Sequence, residues 1–159
     1  MIPLEVHATY ALDEIMAAIG EHDREDRIRR LREGVFHCTR HKADLLFVTL
    51  EKSESDYSPT TMYRDYAISR TRFHWESQSG VHADTKTGQR YVHHARHGEA
   101  VLLFVRERRT LRADITMPYA FLGPCSYVRH EGARPMAIEW ELDHPMPSAM
   151  FQEIKVAAG

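Results

Sequence analysis

The chain has 159 residues, 43% of them apolar and 28% charged, with a formal charge of −2. That length carries one domain, spanning residues 1–159, with room for a true core. The near-neutral charge excludes indiscriminate binding to nucleic acid, which depends on neutralising phosphates, but leaves room for a locally basic face. The apolar runs, such as residues 45–48 (LLFV) and 100–105 (AVLLFV), are far too short to span a bilayer, and the first ten residues lack the basic stretch and apolar region of a signal peptide. A cytoplasmic chain with no membrane partner is expected. Cys38 and Cys125 lie 87 positions apart in apolar, strand-like contexts. That spacing fits neither a disulfide framework nor a zinc finger, so both are expected to be small buried hydrophobes.

Residues 11–19 (ALDEIMAAI) read as a short helix, because Leu12, Ile15, Met16 and Ile19 recur on one face. Asp13 and Glu14 fall in its first turn and Gly20 is placed to end it. Residues 21–33 are charged, with Ile28 and Leu31 the apolar anchors of a weak face. Five arginines there are interleaved with acids, the pattern of a solvated surface. A second basic run, Arg106, Arg108, Arg109 and Arg112, has fewer acids nearby and is the better phosphate candidate.

After Gly34 the pattern changes to strands: 35–38, then 44–50 (DLLFVTL), whose continuous apolar character predicts a strand buried on both faces. Residues 51–62 read as a long polar loop. Two strands follow at 65–69 and 72–78, joined at Arg70-Thr71. In the second, Phe73, Trp75 and Ser77 share one face, and Arg72, His74, Glu76 and Gln78 the other. Residues 79–99 read as a glycine-punctuated loop with a short strand at 89–93. A buried strand is expected at 100–106 and a charged connection at 107–114. A strand at 119–122 is expected to turn at Gly123-Pro124 into another at 125–130. Residues 136–142 alternate, with Met136, Ile138 and Trp140 inward. Ser148 reads as the N-cap of a closing helix over 149–157. Strands in succession without alternating helices predict an α+β fold, a curled and mainly antiparallel β-barrel with flanking helices.

Residues 56–78 are the densest stretch for recognition. Tyr57, Tyr63, Tyr66, Phe73 and Trp75 put five aromatics in 23 residues, interleaved with hydroxyls, arginines and His74. Rings supply stacking faces and polar groups supply edge recognition, the combination that suits a flat polar ligand such as a nucleobase. The same composition also describes amphipathic strands whose rings fill a core. Eleven histidines invite a metal site, but no HExxH motif or Cys/His pairing appears, so no metal or other cofactor is expected. No nucleophile elbow, phosphate loop or dinucleotide fingerprint is present either, and no enzymatic activity is expected of this chain.

Seven ordered blocks carry a resemblance. They are residues 46–52 (LFVTLEK), 57–69 (YSPTTMYRDYAIS), 73–79 (FHWESQS), 87–94 (TGQRYVHH), 101–106 (VLLFVR), 121–124 (FLGP) and 130–135 (HEGARP). Together they resemble a domain of unknown function found at the C-terminus of bacterial superfamily 2 helicase-like proteins. Several of those proteins also carry a phospholipase D-type nuclease domain and look like modification-dependent (type IV) restriction enzymes. The resemblance implies an SRA-like fold of the PUA-like group. It implies binding to double-stranded DNA, with a 5-methyl or 5-hydroxymethyl cytosine flipped out and tested. Helicase or nuclease domains or subunits would be its partners. One departure is Ala11, where family members often carry a capping Thr.

On that resemblance the base-binding candidates are Tyr57, Tyr63, Asp65, Tyr66 and Trp75. The rings would stack on the base and Asp65 would read the cytosine N4 donor. Ser58, Thr60, Thr61, Arg72, His74, Gln89, Arg90 and His94 are the candidates for contact with the DNA backbone or the C5 substituent. Phe73, Phe104 and Trp140 are expected in the core. Two rival readings are an interaction or regulatory module of a helicase and a small metal-dependent nuclease or hydrolase.

Overall fold

A computed structural model describes residues 2–21, 34–51 and 64–159. Among them, ten strands and three helices give a mixed α+β fold. Strand β1 (Thr9–Tyr10) leads into helix α1 (Leu12–Ala18). Strands β2 (Val35–Cys38), β3 (Ala43–Thr49), β4 (Tyr66–Ala67) and β5 (Arg72–Glu76) follow. Helix α2 (Lys86–Val92) precedes β6 (Ala100–Arg106), β7 (Thr110–Arg112), β8 (Ile115–Thr116), β9 (Tyr119–Glu131) and β10 (Ala137–Leu142). Helix α3 (Ser148–Ala158) closes the described chain.

Eight strands form one sheet in the order β2-β3-β6-β9-β10-β5-β4, with β1 paired to β9, while β7 and β8 form a separate ribbon. Every pairing in the sheet is antiparallel except β3 with β6. That pair runs in register from Ala43 opposite Ala100 to Thr49 opposite Arg106. Two apolar clusters cover the two faces of this central pair. Leu46, Val48, Val101, Leu103 and Val105 join Phe73, Trp75, Tyr91, Trp140 and Ile154 on one side. Leu45, Phe47, Leu102 and Phe104 join Ile15, Met16 and Ile19 of the α1 segment on the other. Burial on both faces is why these strands read as unbroken apolar runs rather than alternating ones. Each fully buried Leu, Ile or Phe contributes about 1.5–3 kcal/mol of transfer free energy.

Helix α1 ends as its sequence predicts. Gly20 adopts φ +80°, its N–H reaches Ala17 O at 3.0 Å and the Glu21 N–H reaches Met16 O at 2.9 Å. This is the pairing that a left-handed residue past a helix end allows. At the start, Ala11 offers no side-chain cap, but its own N–H donates to Glu14 Oε1 at 2.8 Å. Helix α3 begins one residue earlier than expected, with Ser148 inside it and Pro147 at the cap position.

Three expectations are corrected. Residues 86–92 are helical, not a loop ending in a strand. Thr85 caps the helix, its Oγ1 accepting the Gly88 N–H at 3.0 Å. Gly88 is there for closeness rather than flexibility, since a Cβ would stand 2.0 Å from His82 O. Second, Gly123-Pro124 is not a turn. Strand β9 runs straight through it, with a bulge that leaves Leu122 between the partners of Leu103 and Phe104. Gly123 takes φ +90° there, and Pro124 stays in register opposite Leu102, its carbonyl accepting the Asp143 N–H at 3.0 Å. Third, the segment read as a charged connection, 107–114, contains β7 and the turn into β8. The described strands form an open sheet with edges at β2 and β4, and no closed barrel is found among them. Residues 52–63, which hold the first eight residues of the aromatic stretch, and 22–33 lie outside the described residues.

The strand parity expected for 72–78 holds. Phe73, Trp75 and Ser77 are buried, with Arg72, His74 and Glu76 on the opposite face. Phe104 and Trp140 are fully buried, and so are Met136 and Ile138. Cys38 and Cys125 are free and buried. Burial, and then the charge of Asp143, push the Cys125 thiol far up, so it stays protonated and inert.

Candidate functional site

Residues 50–51 and 64–67 line one cavity at the end of the sheet where the central parallel strands finish. Strand β3 runs out at Thr49 into Leu50 and Glu51, and the chain is described again from Arg64. A cavity of about 550 Å³ lies between these two points. Leu50 and Glu51 line it from one side, Arg64, Asp65, Tyr66 and Ala67 from the other, and Lys155 and the last residues of α3 close it. That volume lies within the range of small-molecule sites. Two bases, Arg64 and Lys155, face two acids, Glu51 and Asp65, around its wall. Glu51 and Arg64, which flank residues 52–63 in sequence, thus line one concavity.

The cavity side chains are held from behind. Asp65 is nearly buried, and its Oδ1 accepts the Glu76 N–H at 2.9 Å, which ties the segment to β5. Tyr66 is 41% exposed, and one ring face stacks on His74 at 4.4 Å with 13° between the planes. The two residues are direct cross-strand partners, so the stack follows from the register of β4 on β5. Lys155 sits in the last turn of α3. Leu50 and Glu51 are fixed to the neighbouring strand end by Leu50 N–H to Arg106 O at 3.0 Å and Glu51 N–H to Glu107 O at 2.7 Å.

The expected site residues separate into three groups. Asp65 and Tyr66 are at the cavity. Tyr57, Ser58, Thr60, Thr61 and Tyr63 lie outside the described residues. The remaining candidates are elsewhere. Trp75 is 3% exposed and meets Tyr91 edge-on at 5.3 Å and Trp140 at 6.2 Å. It belongs to the core because its strand parity matches that of Phe73. His94 is also buried, with Nδ1 3.0 Å from Glu99 O and Nε2 3.2 Å from the Tyr127 N–H. With these partners Nδ1 donates and Nε2 accepts, and both nitrogens are spent inside the protein.

Arg90 is turned inward by α2. Its Nε and Nη2 reach Asp44 Oδ2 and Oδ1 at 2.7 and 3.0 Å, and Asp44 is fully buried. His37 Nδ1 stands 3.1 Å from the same Oδ1. Burial opposes the charge of Arg90, but the hydrogen bond and charge of Asp44 outweigh it and raise the guanidinium pKa. Arg90 thus clips α2 to β3. Gln89, on the exposed side of the same helix, turns its amide back to Ala83 O.

Arg72 and His74 lie on the solvent face of the sheet. The cross-strand partners Tyr66, His74, Glu139 and Arg129 form one row across it. Arg72 spends its guanidinium on Glu139 and, at 3.3 Å, on Glu141. Glu76 and Glu131 share this face, opposite Ala137 from either side. Four glutamates and two arginines make this face acidic on balance, and Arg72 ties β5 to β10. Sequence reasoning did not assign Arg64, Glu51 or Lys155 to the site. Lys155 carried no local signal, because its approach to Arg64 spans most of the chain.

Among the described residues, no three His, Cys, Asp or Glu side chains stand together as metal ligands. No helix among them is long and apolar enough to cross a membrane. Residues 4–154 match the model of a domain of unknown function, DUF3427, and the chain belongs to that family. No curated protein matches the chain.

Proposed function

We propose that this DUF3427 domain is a DNA-recognition module that takes a modified cytosine, 5-methyl or 5-hydroxymethyl, flipped out of a duplex into the cavity beside Tyr66. The observation that carries the reading is that Glu51 and Arg64, which flank residues 52–63 in sequence, both line the cavity to which Tyr66 contributes. Residues 52–63 contain Tyr57 and Tyr63. Two further candidate rings thus lie in sequence between these two cavity residues, and Tyr66 adds an exposed ring at the cavity itself.

The chemistry at the cavity suits the task. Unstacking and unpairing a base costs a few kcal/mol, and stacking on an aromatic returns about 1–3 kcal/mol per base. Tyr66 is backed by His74, so a base laid on its open face extends an existing stack. Asp65 and Glu51 supply acceptors for the cytosine N4 amino group. Arg64 and Lys155 supply the positive charge that a flipped nucleotide's phosphates require. The ordered sequence blocks support the wider reading, in which the domain is SRA-like and serves modification-dependent restriction beside helicase and nuclease partners.

The test is a binding comparison on one duplex with a single cytosine, either unmodified or 5-methylated. Tyr66→Ala should reduce the preference for the modified duplex at least fivefold, the loss of about 1 kcal/mol of stacking. Tyr66→Phe should retain it. Equal losses on both duplexes would remove Tyr66 from the base site.

A further inference from the structure

The basic run at 106–112 has no role in the cavity, yet the fold brings it to the same end of the sheet. Strands β7 and β8 form a ribbon in which all five strand residues are exposed. Thr110 pairs with Thr116 and Arg112 with Ile115, with Leu111 in an irregularity between them. Leu111 is 49% exposed and Ile115 43%. An uncovered two-stranded ribbon is marginal in water, and two exposed branched aliphatic side chains on it gain nothing from solvent. The arginines nearby, Arg108, Arg109 and Arg112, are exposed too. They outnumber the acids of the same segment, Glu107 and Asp114.

The base of the ribbon is firmly held. Arg106, at the end of β6, donates from Nε to Thr49 Oγ1 at 2.9 Å and from Nη1 to Met117 O at 3.3 Å. Its guanidinium also lies over the Tyr119 ring, 4.5 Å from the centroid. The Met117 N–H closes the ribbon on Arg109 O at 2.9 Å. Arg106 and Met117 thus fix both legs, leaving the tip projecting. The link to the cavity is direct. Glu51 lines the cavity, and its N–H bonds to Glu107 O, next in sequence to Arg108.

We propose that the β7–β8 ribbon is a second contact with duplex DNA, in which Arg108, Arg109 and Arg112 engage sugar–phosphate backbone beside the flipped base. Leu111 and Ile115 pack against the sugars of the same strand. The proposal rests on the DNA reading of the cavity for its ligand, but it assigns a different task. The ribbon supplies affinity without regard to modification, and the cavity supplies discrimination. A rigid base on an exposed basic ribbon suits this division, because two-stranded ribbons fit a DNA groove and its flanking phosphates. A net charge of −2 for the whole chain then makes sense, since positive charge is needed only locally.

The experiment is fluorescence anisotropy with a labelled duplex, modified or unmodified, across a salt series. The variants are R108A/R109A/R112A, R108K/R109K/R112K and Tyr66→Ala. Three lost phosphate contacts should lower the slope of log affinity against log salt by about 2.7, at 0.9 per contact. Both duplexes should be weakened alike, by more than tenfold at low salt, leaving their ratio unchanged. The lysine variant keeps the charges and should restore most of the slope. If the alanine variant keeps the wild-type slope and affinity, the ribbon proposal falls while the base reading stands. If the wild type shows no preference but the alanine variant loses its slope, the base reading falls and the ribbon stands. A wild type that binds neither duplex overturns both.

Discussion

Replacing Arg90 with alanine should unfold the protein more readily rather than weaken its grip on DNA. Asp44 is fully buried, and its two carboxylate oxygens are held by Arg90 at 2.7 and 3.0 Å. Removing one partner of a buried ion pair costs about 3–5 kcal/mol, because a charge is left uncompensated. Two features place this case at the lower end. The Arg90 side chain keeps 25% of its exposure, so water enters where the guanidinium leaves, and His37 remains 3.1 Å from Oδ1. A cost of about 3 kcal/mol corresponds to about 6–12 °C in Tm for a domain of this size. Thermal and urea unfolding of Arg90→Ala, Asp44→Asn and the double variant would measure it. The double variant should cost less than the sum of the singles by about 1 kcal/mol or more, since the two residues are one unit. A Tm loss below about 2 °C, or strict additivity, would refute the assignment of Arg90 as the clip between α2 and β3. Below its own Tm, the Arg90→Ala protein should show the wild-type salt slope for DNA, in contrast with loss of the ribbon arginines.

Other substitutions test the packing around the site. Gly88→Ala should detach α2, because the new Cβ falls 2.0 Å from His82 O, and a cooperative loss of near-ultraviolet aromatic signal from Tyr91 and Trp75 would report it. A well-folded Gly88→Ala protein would show that the helix has room to shift. Ser77 Oγ accepts the Met136 N–H at 3.0 Å in a fully buried position, so Ser77→Ala should cost about 1–3 kcal/mol in urea unfolding. A change below about 0.5 kcal/mol would contradict that role. Burial, and then the charge of His144, lower the His7 pKa below its ordinary 6.5, despite a hydrogen bond with the His144 backbone that raises it. The unfolded chain then binds the proton better, so this contribution is present above pH 6.5 and is lost as pH falls toward the folded value. His7→Asn, which tolerates the φ of +73° there, should show a smaller fall in Tm between about pH 7.5 and 5.5. Identical pH dependence in the two proteins would exclude His7 as a contributor.

Much of the architecture was legible because its signals are local. The unbroken apolar runs of β3 and β6 announced burial on both faces, and the alternation in β5 and β10 announced the core face that Phe73 and Trp140 occupy. Helix α2 was not legible. Its residues KTGQRYV carry one buried ring and a glycine, and the helix is secured by the Thr85 cap and the Arg90–Asp44 pair. The second of these joins residues 46 positions apart. The straight course of β9 was hidden for a related reason, since Gly123-Pro124 carries the same local signature in a bulge as in a turn. The sequence offered Trp75 beside Tyr66 as a base-binding ring, and Arg90 and His94 as contacts to the DNA backbone. What separates them is direction. Strand parity sends Trp75 inward, and α2 carries Arg90 and His94 to partners on β3 and β9. The cavity itself depends on α3 returning Lys155 to the strand ends, a contact with no mark in the sequence near either residue.

The central claim is that a modified cytosine is read at the cavity beside Tyr66. The most direct measurement is equilibrium binding of the wild-type chain to one duplex carrying cytosine, 5-methylcytosine or 5-hydroxymethylcytosine at a single position, at fixed salt. The account predicts tighter binding to at least one modified duplex than to the unmodified one. Indistinguishable affinities across all three would contradict it.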